Sequence, residues 1–141
     1  MSQRVYTHSL RVTYSECTVR DHVYYGRYLD FLEAARGEFF RSLGTTFGQW
    51  DSQGVIFPVV EVQLRYRGAA RYDDVLKIEL WLADLRAVKM VFAYRVLNAE
   101  GKLLVEGTTT HACTNTEDKP MRIPEELAGK LGTFVVNGEK M

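Results

Sequence analysis

The hydrophobic period of this chain changes twice along its length, and that restricts the folds open to it. From Gly26 to Leu43 the residues Tyr28, Leu29, Phe31, Leu32, Ala35, Phe39 and Leu43 fall on one helical stripe, with Asp30, Glu33 and Arg41 off it. The stretch makes about five turns at 3.6 residues each, and Gly44 supplies a C-terminal stop. The flanking sequence alternates with period two. Tyr6, His8, Leu10, Val12 and Tyr14 share one face of a first strand, Tyr6 to Tyr14. After a loop through Gly48 and Gly54, Val60, Val62, Leu64 and Tyr66 oppose Val59, Glu61, Gln63, Arg65 and Arg67. Leu76, Ile78, Leu80 and Leu82 form the inner row of a further strand, and Val88, Met90, Phe92, Tyr94 and Val96 that of the next. A turn at Asn98 to Gly101 leads to a strand from Leu103 to Thr114, and Pro124 to Leu131 reads as a short helix with Pro in its first turn.

This order predicts an α+β fold in which a long helix is wrapped by an antiparallel sheet. Short turns between the last four strands predict a meander. One helix covers one sheet face, and the other face carries a mixture of Val59, Glu61, Arg65 and Trp81. An exposed face and edge predict a homo-oligomer. The 141 residues suit a single domain, 1–141, with loose ends at Met1 to Arg4 and Asn137 to Met141.

Composition removes several classes of function. Eighteen basic and eighteen acidic residues cancel, which argues against a nucleic-acid binder. No apolar run approaches the roughly 18–20 residues that span a bilayer. The start lacks an apolar secretory region, and Cys17 and Cys113 make no disulfide framework, so a cytoplasmic location is expected. No metal, nucleotide or phosphate-loop motif is present, so neither a metal site nor a cofactor is expected, and the lack of a GxSxG motif argues against an α/β-hydrolase.

The stretch Tyr14 to Thr18 leading into Val23-Tyr24-Tyr25-Gly26-Arg27-Tyr28-Leu29 resembles the hot-dog-fold acyl-CoA thioesterases of the 4-hydroxybenzoyl-CoA thioesterase type. Phe31 to Arg36 looks like the family's helix-centre motif, Tyr66 to Asp74 like its strand–turn signature, and Lys119 to Pro124 like its approach to the last helix. The resemblance covers roughly residues 6 to 130 and implies a hot-dog fold and thioester hydrolysis. One departure stands out: Thr18 occupies the position of the family's catalytic Asp, as in the enediyne polyketide-type thioesterases of the same fold.

The resemblance implies that the helix-start N–H groups of Tyr25 or Gly26 polarise the thioester carbonyl. Such groups are unpaired and carry the positive end of the helix dipole. Candidates for the acid or base are Asp21, His22, Glu16 and Glu61; His8 and His111 sit in strand patterns and read as packed or surface residues. Coenzyme A carries phosphates, and Arg65, Arg67, Arg71, Arg86 and Lys89 are candidate partners for them. Tyr28 and Phe57 are candidate walls for the acyl group. The expected substrate is an acyl-CoA or acyl-carrier-protein thioester, with coenzyme A as part of the substrate. The alternative is a non-catalytic protein that binds acyl or aromatic CoA. A dehydratase of the same fold would need a longer central-helix motif that this chain lacks.

Overall fold

The structure is a computed structural model that describes residues 4–136, so most of the predicted loose ends lie outside the described residues. Arg4 itself is held, with its Nη1 donating to Thr133 Oγ1 at 3.2 Å and its guanidinium 4.3 Å from the Phe134 ring centroid.

Strand β1 (Tyr6–Arg11) is followed by helix α1 (Arg27–Ser42), a short helix α2 (Phe47–Ser52), strands β2 (Val59–Tyr66), β3 (Val75–Leu85), β4 (Lys89–Leu97) and β5 (Leu103–Ala112), and helix α3 (Glu125–Gly132). The five strands form one antiparallel sheet in the order β1-β3-β4-β5-β2. Helix α1 lies on one face. It buries Tyr28, Phe31, Leu32, Ala35, Phe39 and Phe40 against the inner rows Leu76, Ile78, Leu80, Leu82 and Met90, Phe92, Tyr94, Val96. Phe39 sits at the centre, edge-on to Phe92 and Phe134. Gly44, at φ 85°, ends α1 in the left-handed region that glycine adopts without a Cβ penalty. Lys130 of α3 then donates to the Leu43 carbonyl at 2.9 Å.

Several expectations are corrected. The first strand stops at Arg11, and Tyr14 starts a 3-10 turn with its ring exposed. Leu29 is exposed, whereas Arg36 and Phe40 are buried. The segment read as a loop contains α2, whose capping box pairs Thr46 with Gln49. Pro124 is the N-cap of α3 rather than part of its first turn, and β5 ends at Ala112. Only β3, β4 and β5 form a meander. Strand β2 crosses over to pair with β5 at the sheet edge, because the eight residues 67–74 are long enough to carry the chain past two strands.

One change of phase matters for the site. Val59 pairs with His111 and Val62 with Thr109, three residues on β2 against two on β5. The extra residue is a β-bulge at the start of β2. It turns Val59 to the helix side with Val62, and leaves Glu61 on the outer face with Gln63 and Arg65. Straight alternation had placed Val59 and Glu61 together.

Candidate active site

The loop before α1 is built from two 3-10 turns, Tyr14–Glu16 and Val19–Asp21. Glu16 Oε1 accepts from the Thr13 N–H at 2.8 Å, so this carboxylate caps the first turn. The Thr18 N–H donates to the His22 carbonyl at 2.7 Å, and the Tyr24 N–H to the Glu16 carbonyl at 2.9 Å. Arg20 and Asp21 both adopt positive φ, 59° and 62°. Two successive left-handed residues cost about 1–2 kcal/mol each for a non-glycine side chain. Backbone strain of this kind collects at functional sites. The Asp21 carbonyl accepts from the Tyr72 N–H and the Ala70 carbonyl from the Val23 N–H, which ties the loop to the segment after β2.

His22 is half-buried, and its Nε2 is fully buried with no hydrogen-bond partner among the described residues. A buried polar nitrogen left unpaired costs about 1–3 kcal/mol. Asp21 beside it is exposed, and its carboxylate makes no hydrogen bond among the described residues.

At the helix start, Gly26 is the N-cap and the Arg27 N–H donates to the Tyr24 carbonyl at 2.8 Å. Among the described residues the N–H groups of Tyr25 and Gly26 meet no acceptor. The Tyr66 hydroxyl donates to the Tyr25 carbonyl at 3.0 Å, which fixes that peptide from the far side. Tyr24, Tyr25 and Tyr66 pack as a chain of rings, with centroids 4.7 and 6.3 Å apart. A Cβ on Gly26 would stand 3.0 Å from the Tyr24 ring, so the N-cap is closely fitted. Tyr28 is buried behind Tyr66, and its hydroxyl accepts from the Ala70 N–H at 2.9 Å.

Thr18, Asp21, His22, Tyr25 and Gly26 are therefore close along one loop and helix start. Glu61 is not among them. It lies on the outer sheet face and accepts from Gln63 Nε2 at 2.6 Å. The basic residues do not form one cluster either. Arg67 pairs with Glu106 at 2.6 Å, near Arg65, while Arg86 pairs with Asp84 at 3.0 Å. Lys89 pairs in register with Ala112 and Arg65 with Glu106, six residues apart on β5. That separation is about 20 Å at 3.3–3.4 Å per residue.

Phe57 belongs to a second feature. A cleft of about 370 Å³ opens between α1, α2 and the start of β2, lined in part by Glu33, Arg36, Phe47, Phe57, Val59 and His111. Behind it runs a buried polar chain. Arg36 Nη1 donates to the Tyr94 hydroxyl at 3.0 Å, Tyr94 lies 2.5 Å from Thr109 Oγ1, and Thr109 lies 2.9 Å from His111 Nε2. His111 Nδ1 is 3.3 Å from the Phe57 carbonyl. A guanidinium can only donate and a carbonyl only accept. The chain therefore runs one way, and His111 carries its proton on Nδ1. Burial and the Arg36 charge hold the His111 pKa down at about 4. Burial pushes the Tyr94 phenol up, and Arg36 offsets part of that.

The unfolded chain, with its histidine near 6.5, binds a proton that the folded protein refuses between pH 6.5 and 4. Stability should therefore fall as pH drops through that window, by up to about 3 kcal/mol from this group. Denaturant titrations of wild type and His111→Gln should converge by that amount from pH 7 to pH 4. Parallel curves would count against the assignment.

The sequence placed Arg36 in the helix-centre motif and Tyr94 in an inner row, but assigned no site role to either, nor to Thr109. The available sign was a charged residue on the apolar stripe, one position after Ala35, and polar residues at inner positions of the last strand.

One long helix laid across a five-stranded antiparallel sheet is the hot-dog fold, and the fold defines the class of protein. The chain belongs to the thioesterase-like superfamily, whose model matches residues 12–131. It is 28% identical to the acyl-CoA thioester hydrolase YbgC of Escherichia coli O6:H1 over 93% of this chain and 98% of that protein. Among solved structures, a hypothetical protein, TT1821, from Thermus thermophilus superposes with a TM-score of 0.84 at 35% identity, covering 91% of this chain and 98% of the other. A DHNA-CoA thioesterase from Staphylococcus aureus superposes with a TM-score of 0.80 at 25% identity, covering 84% and 80%. The protein is an enzyme of the thioesterase class. Among the described residues no helix is long and apolar enough to cross a membrane.

Proposed function

We propose that this chain hydrolyses acyl-CoA thioesters in the manner of the 4-hydroxybenzoyl-CoA thioesterase type, in the cytoplasm, with Thr18 in place of that group's usual Asp. The observation that carries the reading is the pair of unpartnered N–H groups at Tyr25 and Gly26, at the positive end of a 16-residue helix. The thioester oxygen sits against these amides. Asp21 or His22 takes a proton from water, and the water oxygen bonds to the carbonyl carbon. The resulting oxyanion is held by the two N–H groups. On collapse the C–S bond breaks, and the thiolate leaves with the proton that the base had taken. Acid and free thiol are the products, and no other reactant is consumed.

The site is completed by a second copy. Strand β2 is an edge strand that exposes Val59, Val60, Val62 and Tyr66, and such an edge calls for a pairing partner. Antiparallel pairing of two β2 strands about Val62 and Gln63 sets Val59 opposite Tyr66 of the partner subunit. The aromatic helix start of one chain then stands near the cleft of the other. The separated basic groups at the two ends of the sheet are also brought toward one another, where coenzyme A phosphates would lie.

A panel of acyl-CoA thioesters with a free-thiol reporter tests the activity, with a phosphopantetheine thioester included to represent a carrier-protein substrate. At least one acyl-CoA should release thiol well above the uncatalysed rate. Tight binding without thiol release from any member would favour the non-catalytic binder. Light scattering at micromolar concentration should give at least twice the 16.2 kDa chain mass. A stable monomer of fully active enzyme would remove the second copy from the site.

A further inference from the structure

Arg36 is 9% exposed, yet no carboxylate of the described residues forms an ion pair with it. Its one hydrogen bond among the described residues goes to the Tyr94 hydroxyl, and a guanidinium has five N–H donors. It lines the cleft, so its remaining donors have the cleft as their outlet. A buried charge is ordinarily paired. Here the other deep polar groups are committed. His111 is neutral and spends its Nδ1 proton on Phe57, and Thr109 and Tyr94 bond to each other. Phe47 and Phe57 supply apolar walls, with centroids 6.1 Å apart, next to Phe40. The cleft thus has a hydrocarbon body and one cationic end. Glu33 and Asp51 stand at its rim, both exposed and screened by water.

We propose that this cleft is a subsite for an acyl group that ends in a carboxylate, so that the preferred thioester is the monothioester of a dicarboxylic acid. The guanidinium matches a carboxylate in charge and in its forked geometry. The methylene segment lies along Phe47 and Phe57. The rim acids weaken capture of small free anions, whereas a carboxylate carried on an acyl chain reaches past them to the buried guanidinium.

The inference rests on the thioesterase reading for the thioester, but the anion subsite is testable without turnover. In calorimetry the wild-type protein should bind N-methylglutaramate, whose amide stands in for the thioester and whose far end is a carboxylate, at least tenfold more tightly than N-methylpentanamide, which ends in a methyl group. Arg36→Met should reduce that ratio to below threefold, and Glu33→Gln should raise it by lifting the rim repulsion. With thioesters, kcat/KM for glutaryl-CoA should exceed that for pentanoyl-CoA at least tenfold in the wild type. Equal binding of the two amides by the wild-type protein, or a preference for N-methylpentanamide, overturns the subsite whatever the variants do. Absence of hydrolysis with every thioester, alongside a preference for N-methylglutaramate, would overturn the thioesterase reading and leave the subsite standing.

Discussion

Asp21→Asn should lower kcat on the best thioester by about 10²–10⁴-fold, the usual effect of removing a general base. Asp21 is in the loop that packs against the helix start, at φ 62°, with its own carbonyl bonded to the Tyr72 N–H. Asparagine is among the few residues that tolerate the left-handed region, so the loop keeps its shape and only the carboxylate is lost. An unchanged melting temperature would confirm that the fold is intact. Thr18→Ala should cost less, because the described Thr18 contact is made by its backbone N–H. Glu61→Gln should stay within a few-fold of wild type, since Glu61 lies on the outer sheet face beside Gln63. If Asp21→Asn retains activity within threefold, the base is elsewhere. His22 with its unpartnered Nε2 is then next in line, and His22→Gln distinguishes it. If both variants are active, polarisation by the helix start and a bound water suffice.

Gly107→Ala should be the most destabilising single-methyl change in the sheet. A Cβ at Gly107 would lie 2.0 Å from the Gln63 carbonyl oxygen and 2.8 Å from a Leu64 methyl. The oxygen belongs to the backbone of the neighbouring strand and cannot rotate away. Gly107 pairs with Leu64 on β2 and Tyr94 on β4, so β2 must move off β5 or the sheet must buckle. Overpacking costs typically 1–3 kcal/mol and occasionally more, and a backbone clash falls at the top of that range. For a chain of this size about 3 kcal/mol corresponds to a drop of roughly 10 °C in melting temperature. Because β2 also carries the exposed edge and one wall of the cleft, oligomer mass and turnover should fall with it. A melting temperature within 2 °C of wild type would show that β2 accommodates the methyl group.

What the sequence by itself determined was the long helix, the strands, the last short helix and most of their apolar faces. Those depend on local period, and local period survives in the residue order: the α1 stripe, the alternation of β3 and β4, the glycine stop at Gly44. The family resemblance also rested on residues adjacent in sequence, from Tyr14 through Leu29, and the same stretch forms the loop and helix start of the candidate site. Tertiary structure decided everything that depends on distant residues meeting. That β2 pairs with β5 rather than β3 cannot be read from alternation, since both pairings bury the same row. The bulge that turns Val59 inward and leaves Glu61 outside changes no residue type and only shifts phase. The chain from Arg36 through Tyr94 and Thr109 to His111 joins α1, β4 and β5 across up to 75 positions of sequence. Each of these four residues is ordinary in its own segment. Only packing the helix on the sheet withdraws them from water, and burial is what forces them to bond to one another and leaves one guanidinium facing a cleft.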